Sequence, residues 1–329
     1  MPFEENEISK NSQGGTESVK RGLAERLPPG LADDFQIICS RVRNIEEDKI
    51  RVYWLHDLPE DPETNHLKEQ ASRDRFHKLV FCGNWQYSRY QLITGVPYDD
   101  KCAVIDTPID PLPSAQKEFD KIRLVYTSTP QRGLGILVAV FEKLAEKYKN
   151  IHLDVFSSFK IYGWEDADKQ FEPLYERIRK HPQMTYHGFA PNEQVKEHLL
   201  KAHIHAYPNT WLECNSRSVI EAMSAGLLCV HPNYGGLTDT SGGLNYSYQG
   251  HEDPNKHASI FYGVLAHAID VVQQEQTQNY LKFVKIYADS RYSWQKIVKQ
   301  WVDTLTDLKD RYPTIESRKL QKEMFVYKT

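Results

Sequence analysis

The chain has 329 residues, enough for two domains with a sizeable core each. Its 40% hydrophobic and 26% charged content is that of an ordinary globular protein, and a net charge of −4 excludes a global attraction for nucleic acid. Five cysteines (Cys39, Cys82, Cys102, Cys214, Cys229), odd in number and without C-x-x-C spacing, argue against a disulfide framework or a thiolate zinc site. The polar start "MPFEENEISKNSQ" is no signal peptide and no apolar run reaches membrane-spanning length. A soluble, cytoplasmic protein without a transmembrane segment is therefore expected.

In chain order, "QGGTESVKRGLAERL" (13–27) is a glycine pair running into a helix. Strands are predicted at 35–39, 50–55, 78–82 and 102–106, with a short helix over 84–93. The Pro- and Asp-rich stretch 106–120 is the best interdomain linker. Beyond it the alternation is regular. "RLVYT" (123–127) is a buried strand, and Leu134, Leu137, Val138, Phe141, Leu144, Ala145 and Tyr148 form one helical stripe. Strands at 151–156, 184–189, 203–207 and 227–231 alternate with helices around 166–180 and 193–201 and with one that starts between Glu213 and Glu221. Near the end, Trp294, Ile297, Val298, Trp301, Val302, Leu305 and Leu308 make a long amphipathic stripe that must bury a wide apolar face. Repeated β-α-β units with strands this apolar predict an α/β protein of two doubly wound, Rossmann-like domains. Such domains bind ligands outside the carboxyl ends of their strands.

Three strand-to-helix turns carry candidate chemistry. Gly14 and Gly15 would let the backbone approach a ligand at a helix N-terminus. "TSTPQRGLG" sets Arg132 beside the start of a helix, where exposed N–H groups and a guanidinium suit a diphosphate. "WLECNSRSVIEAMSAG" holds Glu213 in a turn and Glu221 inside the following helix, eight positions on. Carboxylates suit sugar and ribose because each accepts paired hydrogen bonds from vicinal hydroxyls. Each feature alone has a bland reading: a turn, a solvated arginine, two surface glutamates. Together at successive βα turns, followed by "VHPNYGG", they are harder to dismiss.

The run "ECNSRSVIEAMSAGLLCV" resembles the E-x7-E signature of retaining glycosyltransferases with the two-domain GT-B fold, in particular glycosyltransferase family 4. "NSQGGTE", "TSTPQRGL", "YHGFAPNEQVKEHLLKAHIHAYP", "YGGLTD" and the closing "YSWQKIVKQW" match that family in order. The resemblance implies a metal-independent transferase that moves a sugar from a nucleoside-diphosphate donor to a hydroxyl of a carbohydrate, lipid or small-molecule acceptor. It needs no cofactor, no metal ligand and no nucleic acid. It implies an acceptor-side domain at 1–118, a donor-binding domain at 119–290 and a C-terminal helix at 291–329 crossing back to the first domain. By the same resemblance Glu221 holds the ribose, Glu213 faces the donor sugar, and the backbone N–H groups of Cys214 and Asn215 lie near sugar and phosphate. Arg132 stabilises the leaving diphosphate, Gly14 and Gly15 approach the phosphates, and His56 lies near the donor sugar.

The sequence also departs from the pattern. The family's first cationic residue is Thr127 here, which leaves Lys160 and Arg217 as candidates for the second cation. Asp239 stands where Glu is commoner, and "CNS" lacks the usual glycine. Two competing functions are a D-x-D metal-dependent transferase, through Asp166 and Asp168, and a non-catalytic sugar- or nucleotide-binding module. "DAD" enters a polar helix rather than ending a buried strand, so it reads as a solvated helix start. A nicotinamide oxidoreductase lacks its glycine fingerprint.

Overall fold

The apolar segments sort into two separate parallel sheets. The computed structural model describes residues 15–320 and Tyr327. They divide into two compact units: residues up to Pro108 together with those from Trp294 onward, and Ile109–Ser293.

In the first unit, helix α1 (Gly15–Arg26) precedes strands β1 (Phe35–Cys39) and β2 (Ile50–Leu55). A short helix α2 (Gln70–Arg73) leads to β3 (Lys78–Phe81), α3 (Asn84–Thr94) and β4 (Cys102–Val104). The strands pair in parallel in the order β1-β2-β3-β4. Every residue of β1 and β2 is buried, as expected where both faces of a parallel sheet are covered.

The second unit runs β5 (Ile122–Thr127), α4 (Leu134–Lys147), β6 (Ile151–Phe156), α5 (Glu172–Lys180), β7 (Met184–Tyr186) and α6 (Asn192–Lys201). It continues with β8 (Ile204–Ala206), α7 (Arg217–Ser224), β9 (Leu228–Pro232), α8 (Leu237–Ser241), β10 (Tyr246–Tyr248), α9 (Pro254–Val271) and α10 (Glu275–Tyr292). All six strands are parallel, in the order β10-β9-β8-β5-β6-β7. The chain builds outward from β5 to β7, then returns to the other side of β5 with β8. Strand order reverses there, so the carboxyl ends of β5 and β8 flank a topological switch point. Among the described residues the first unit has no such reversal.

The segment ahead of β5 packs in this second unit. Ile109 and Leu112 are buried in its core, and the Leu112 N–H donates to Ser224 Oγ at 2.9 Å. The expected linker at 106–120 therefore has its apolar side chains committed to one side, and the units divide at Pro108 rather than at 118.

The last helices, α11 (Trp294–Arg311) and α12 (Ile315–Arg318), belong to the first unit. Trp294, Ile297, Trp301, Leu305 and Leu308 recur at helical spacing and are buried with Val19, Leu23, Phe35 and Val52. The rings of Trp54 and Trp301 meet edge-on, 4.8 Å apart. A helix so polar on its outer face is held by this apolar stripe, not by its own propensity.

Candidate functional site

The turns after β5 and β8 meet at the switch point. After β5 the chain makes a short 3-10 turn, Pro130–Arg132, and Gly133 follows in a left-handed conformation (φ 98°). A Cβ at Gly133 would lie 2.0 Å from the Pro208 carbonyl oxygen, so only glycine lets this turn rest on the one after β8. That contact sets Arg132 against Glu213. Arg132 Nη1 donates to Glu213 Oε1 at 2.7 Å, and the Tyr207 hydroxyl donates to the same oxygen at 2.6 Å. Glu213 Oε2 takes no hydrogen bond among the described residues, which leaves one carboxylate oxygen to a ligand.

The electrostatics of this group are mutually supporting. Glu213 is 7% exposed and Tyr207 fully buried. Burial works against the charge on Arg132, but the Glu213 carboxylate and Tyr207 outweigh it and hold the guanidinium charged. Burial and the neighbouring Glu213 raise the Tyr207 phenol well above its usual range, so it remains a neutral donor. Thr129 Oγ1, Gln131 Oε1 and Arg132 Nε, all on the same turn, are buried without a hydrogen-bond partner. Such a concentration of unpaired polar atoms is uncommon in a resting fold and suits a site completed by a ligand.

Glycine also shapes the other side of the Glu213 turn. The Gly236 N–H donates to the Glu213 carbonyl, and a Cβ on Gly236 would lie 2.3 Å from the Cys214 carbonyl oxygen. Ser216 caps α7 by position but makes no side-chain capping bond. Helix α4 likewise starts at Gly133 without a side-chain cap. Two helix N-termini thus point uncapped N–H groups from the switch point, the arrangement that favours an anion.

The remaining expected residues fall as follows. Glu221 is 8% exposed on α7 and accepts from Arg217 Nε at 3.0 Å. Arg217 is thereby engaged one turn from the Glu213 loop. Lys160 is exposed and pairs with Glu165 at 3.2 Å. Thr127 lies 3.4 Å from His205 Nε2 through its hydroxyl. Asp239 pairs with Arg291 at 3.2 Å. His56 and Gly15 lie in the first unit, and Gly14 lies outside the described residues. His56 follows β2 directly, with Nδ1 3.4 Å from Cys82 Sγ and its ring 4.5 Å from that of Trp54. Burial pushes its pKa down to about 3, and its Nε2 is buried without a partner. Gly15 opens α1 with open space around its Cα.

The D-x-D pair behaves differently from a metal site and, at one position, from a solvated helix start. Asp166 is exposed and pairs with Lys169 at 2.7 Å. Asp168 is half-buried and accepts from the Phe159 N–H at 2.9 Å and the Tyr175 hydroxyl at 2.8 Å. It is a tertiary acceptor that ties the 159–171 segment to α5. Tyr207, the orphaned polar atoms of 129–132 and the Arg217–Glu221 pair are the parts of the site that spacing alone did not single out. "HAY" at the end of a strand was the only signal for Tyr207.

Residues 114–243 match the family of glycosyl transferases group 1, a span from the approach to β5 through α8. The structure is similar to that of Anabaena HepE in complex with UDP-glucose, with a TM-score of 0.59 and 17% identity over 79% of this chain and 72% of that one. A glycosyltransferase from Rickettsia africae aligns with a TM-score of 0.65 and 12% identity over 93% of this chain and 84% of that one. Sucrose-phosphate synthase from Thermosynechococcus elongatus aligns with a TM-score of 0.61 and 14% identity over 79% and 68%. No curated protein sequence matches the chain. Two parallel-sheet α/β units, with the last helices returned to the first of them, define the GT-B class of fold. Within that fold, residues 114–243 carry the match to the group 1 glycosyl transferases.

Proposed function

We propose that this protein transfers a sugar from a nucleoside-diphosphate donor to an acceptor hydroxyl, with retention at the anomeric carbon and without a metal ion. The observation that carries this reading is the Arg132–Glu213–Tyr207 group, set at the switch point between two uncapped helix N-termini. A diphosphate there meets a guanidinium and backbone dipoles, which neutralise its charge as the glycosidic bond breaks. Glu213, with one oxygen open, accepts from donor-sugar hydroxyls, and the N–H groups of Cys214 and Asn215 lie next to it in sequence. Glu221 takes the ribose hydroxyls, with Arg217 supplying the second positive charge near the phosphates. The first unit, which carries His56, neutral across the physiological range, is assigned the acceptor.

The neighbour solved with UDP-glucose supports a nucleotide-sugar donor of this general kind. The Asp166–Asp168 pair, one member exposed and the other spent on Ser158, Phe159 and Tyr175, supports the metal-free reading over the D-x-D one. The test is a panel of nucleotide sugars screened by thermal shift, where a donor at a hundred times its Kd adds about 2.7 kcal/mol. Turnover of the stabilising donor, followed by NMR of the product anomer, then decides the stereochemistry. A donor that stabilises the protein but is never turned over, with any acceptor, would leave a binding module in place of an enzyme.

A further inference from the structure

Away from the switch point, the face of the second sheet that α6 covers is polar. His152 and Asp154 of β6 lie on it, and Asp154 pairs in register with Val125 of β5 and Thr185 of β7. His187 follows β7 immediately, and His198 comes from α6. Asp154, His187 and His198 can each offer one ligand atom so that all three lie within 4.8 Å of one another. Among the described residues no other group of His, Cys, Asp and Glu converges in this way.

The surroundings prepare these side chains as ligands. His198 Nδ1 is 3.0 Å from the Gln194 carbonyl oxygen, one turn back on α6. An N–H at Nδ1 donating to that oxygen leaves the Nε2 lone pair outward, the tautomer a metal requires. The His187 ring stacks on Phe156 at 4.3 Å and 5°, which fixes its plane, and the His198 ring meets both Phe156 and His187 edge-on at 5.0 and 4.7 Å. His187 Nε2 already faces Asp154 Oδ1 at 2.7 Å. All three residues are half-buried, so an ion has a path in from solvent.

We propose that Asp154, His187 and His198 form a binding site for a divalent transition metal of the zinc type. Two imidazoles and one carboxylate select zinc over magnesium or calcium, which prefer all-oxygen shells. Bonds of about 2.0–2.2 Å to each ligand ask the present Asp154–His187 contact to open by a few tenths of an ångström as the ion replaces the shared proton. A fourth position is left to water. The ion cross-links β6, the end of β7 and α6, and its role is to hold that helix on the sheet rather than to touch the donor. The motif leaves no spacing signature because its three members come from three elements.

The test uses the full chain and cobalt(II) as a spectroscopic probe, with zinc(II) in competition and in thermal shift. One cobalt ion per chain is expected, with visible d–d absorption of a four-coordinate site and no thiolate-to-cobalt charge-transfer band. Zinc should displace it and raise the Tm, and His198→Ala and Asp154→Asn should each weaken binding at least tenfold. His198 is on a helix surface, so its variant keeps the fold, and the wild-type spectrum reports the ligand set without any variant. Absence of saturable binding, a thiolate band, or unchanged affinity in His198→Ala would each overturn the proposal. Because donor binding is assigned to other residues, a failed donor screen leaves this result unaffected.

Discussion

Arg132 and Tyr207 donate to the same oxygen of Glu213, at 2.7 and 2.6 Å, across two turns that meet only because residue 133 is glycine. The pair is preorganised before any donor arrives. On the proposed reading a diphosphate shares or captures the guanidinium, and the carboxylate it leaves behind keeps the Tyr207 hydrogen bond. Charge within the Arg132–Glu213–Tyr207 group is balanced internally.

The two glutamates should respond differently to substitution. Glu221→Ala removes a charge-assisted contact worth about 1.5–3 kcal/mol and far from bond breaking, so it should raise the donor KM roughly ten- to a hundredfold. Glu213→Gln and Arg132→Ala should lower kcat, the arginine by about two to three powers of ten. Steady-state kinetics with melting curves measure both. A loss of kcat in Glu221→Ala alone would reverse the roles assigned here.

Tyr207→Phe keeps the buried ring and removes only the hydroxyl. It should lower stability by only about 1 kcal/mol, read from melting curves, and lower kcat more than it raises KM, because Glu213 loses one of its two anchors. An additive Arg132→Ala/Tyr207→Phe double variant would show that the two donors act independently, contrary to the shared oxygen.

Gly133→Ala tests whether the meeting of the turns matters. The left-handed backbone alone costs about 1–3 kcal/mol with a side chain, and the Cβ would also strike the Pro208 carbonyl. Both Tm and donor affinity should fall. Retention of both would mean that the turns can part without loss.

Turnover should survive EDTA, since the proposed diphosphate site offers a guanidinium and backbone dipoles in place of a metal ion. Activity abolished by chelation and restored by manganese at assay temperature would instead implicate a metal in the chemistry. Zinc held between β6 and α6 would show itself in the Tm of the chelated protein, not in the rate.

Buried histidines make the fold acid-sensitive. Burial, with His231 nearby, pushes His205 from 6.5 down to about 3, and burial pushes His231 to about 4. The unfolded chain binds more protons than the native one below 6.5, so this stability is complete above that pH and drains away toward the native values. One histidine shifted this far costs about 2 kcal/mol at a pH of about 5. Tm should therefore fall between pH 7 and 5, and less steeply in His205→Gln. A pH-independent Tm over that range would contradict the burial of these imidazoles in neutral form.

Much of this was legible because the second sheet's strands are short apolar runs and its helices are striped. Arg132, Glu213 and Glu221 stood out through residue type and spacing at βα turns. Helix α10 did not, because Phe283 and Ile286 are exposed beside the buried Leu281, Val284 and Ala288 and blur the stripe. Tyr207 reads as one more strand aromatic until Glu213 is folded against it. Asp168 reads as a helix-start acid because its three donors, Ser158, Phe159 and Tyr175, come from tertiary structure.

The helix α11 completes the core around β1 and β2, although Trp294, its first residue, comes 239 positions after Leu55, the last of β2. During synthesis the first sheet must therefore wait, with its Trp54 face uncovered, while the whole of Ile109–Ser293 emerges and can fold as a continuous insert. The unit Ile109–Ser293 is thus the natural early folder, and the first unit closes only once α11 has been made. Aggregation during expression should accordingly track the time for which that apolar face is left open.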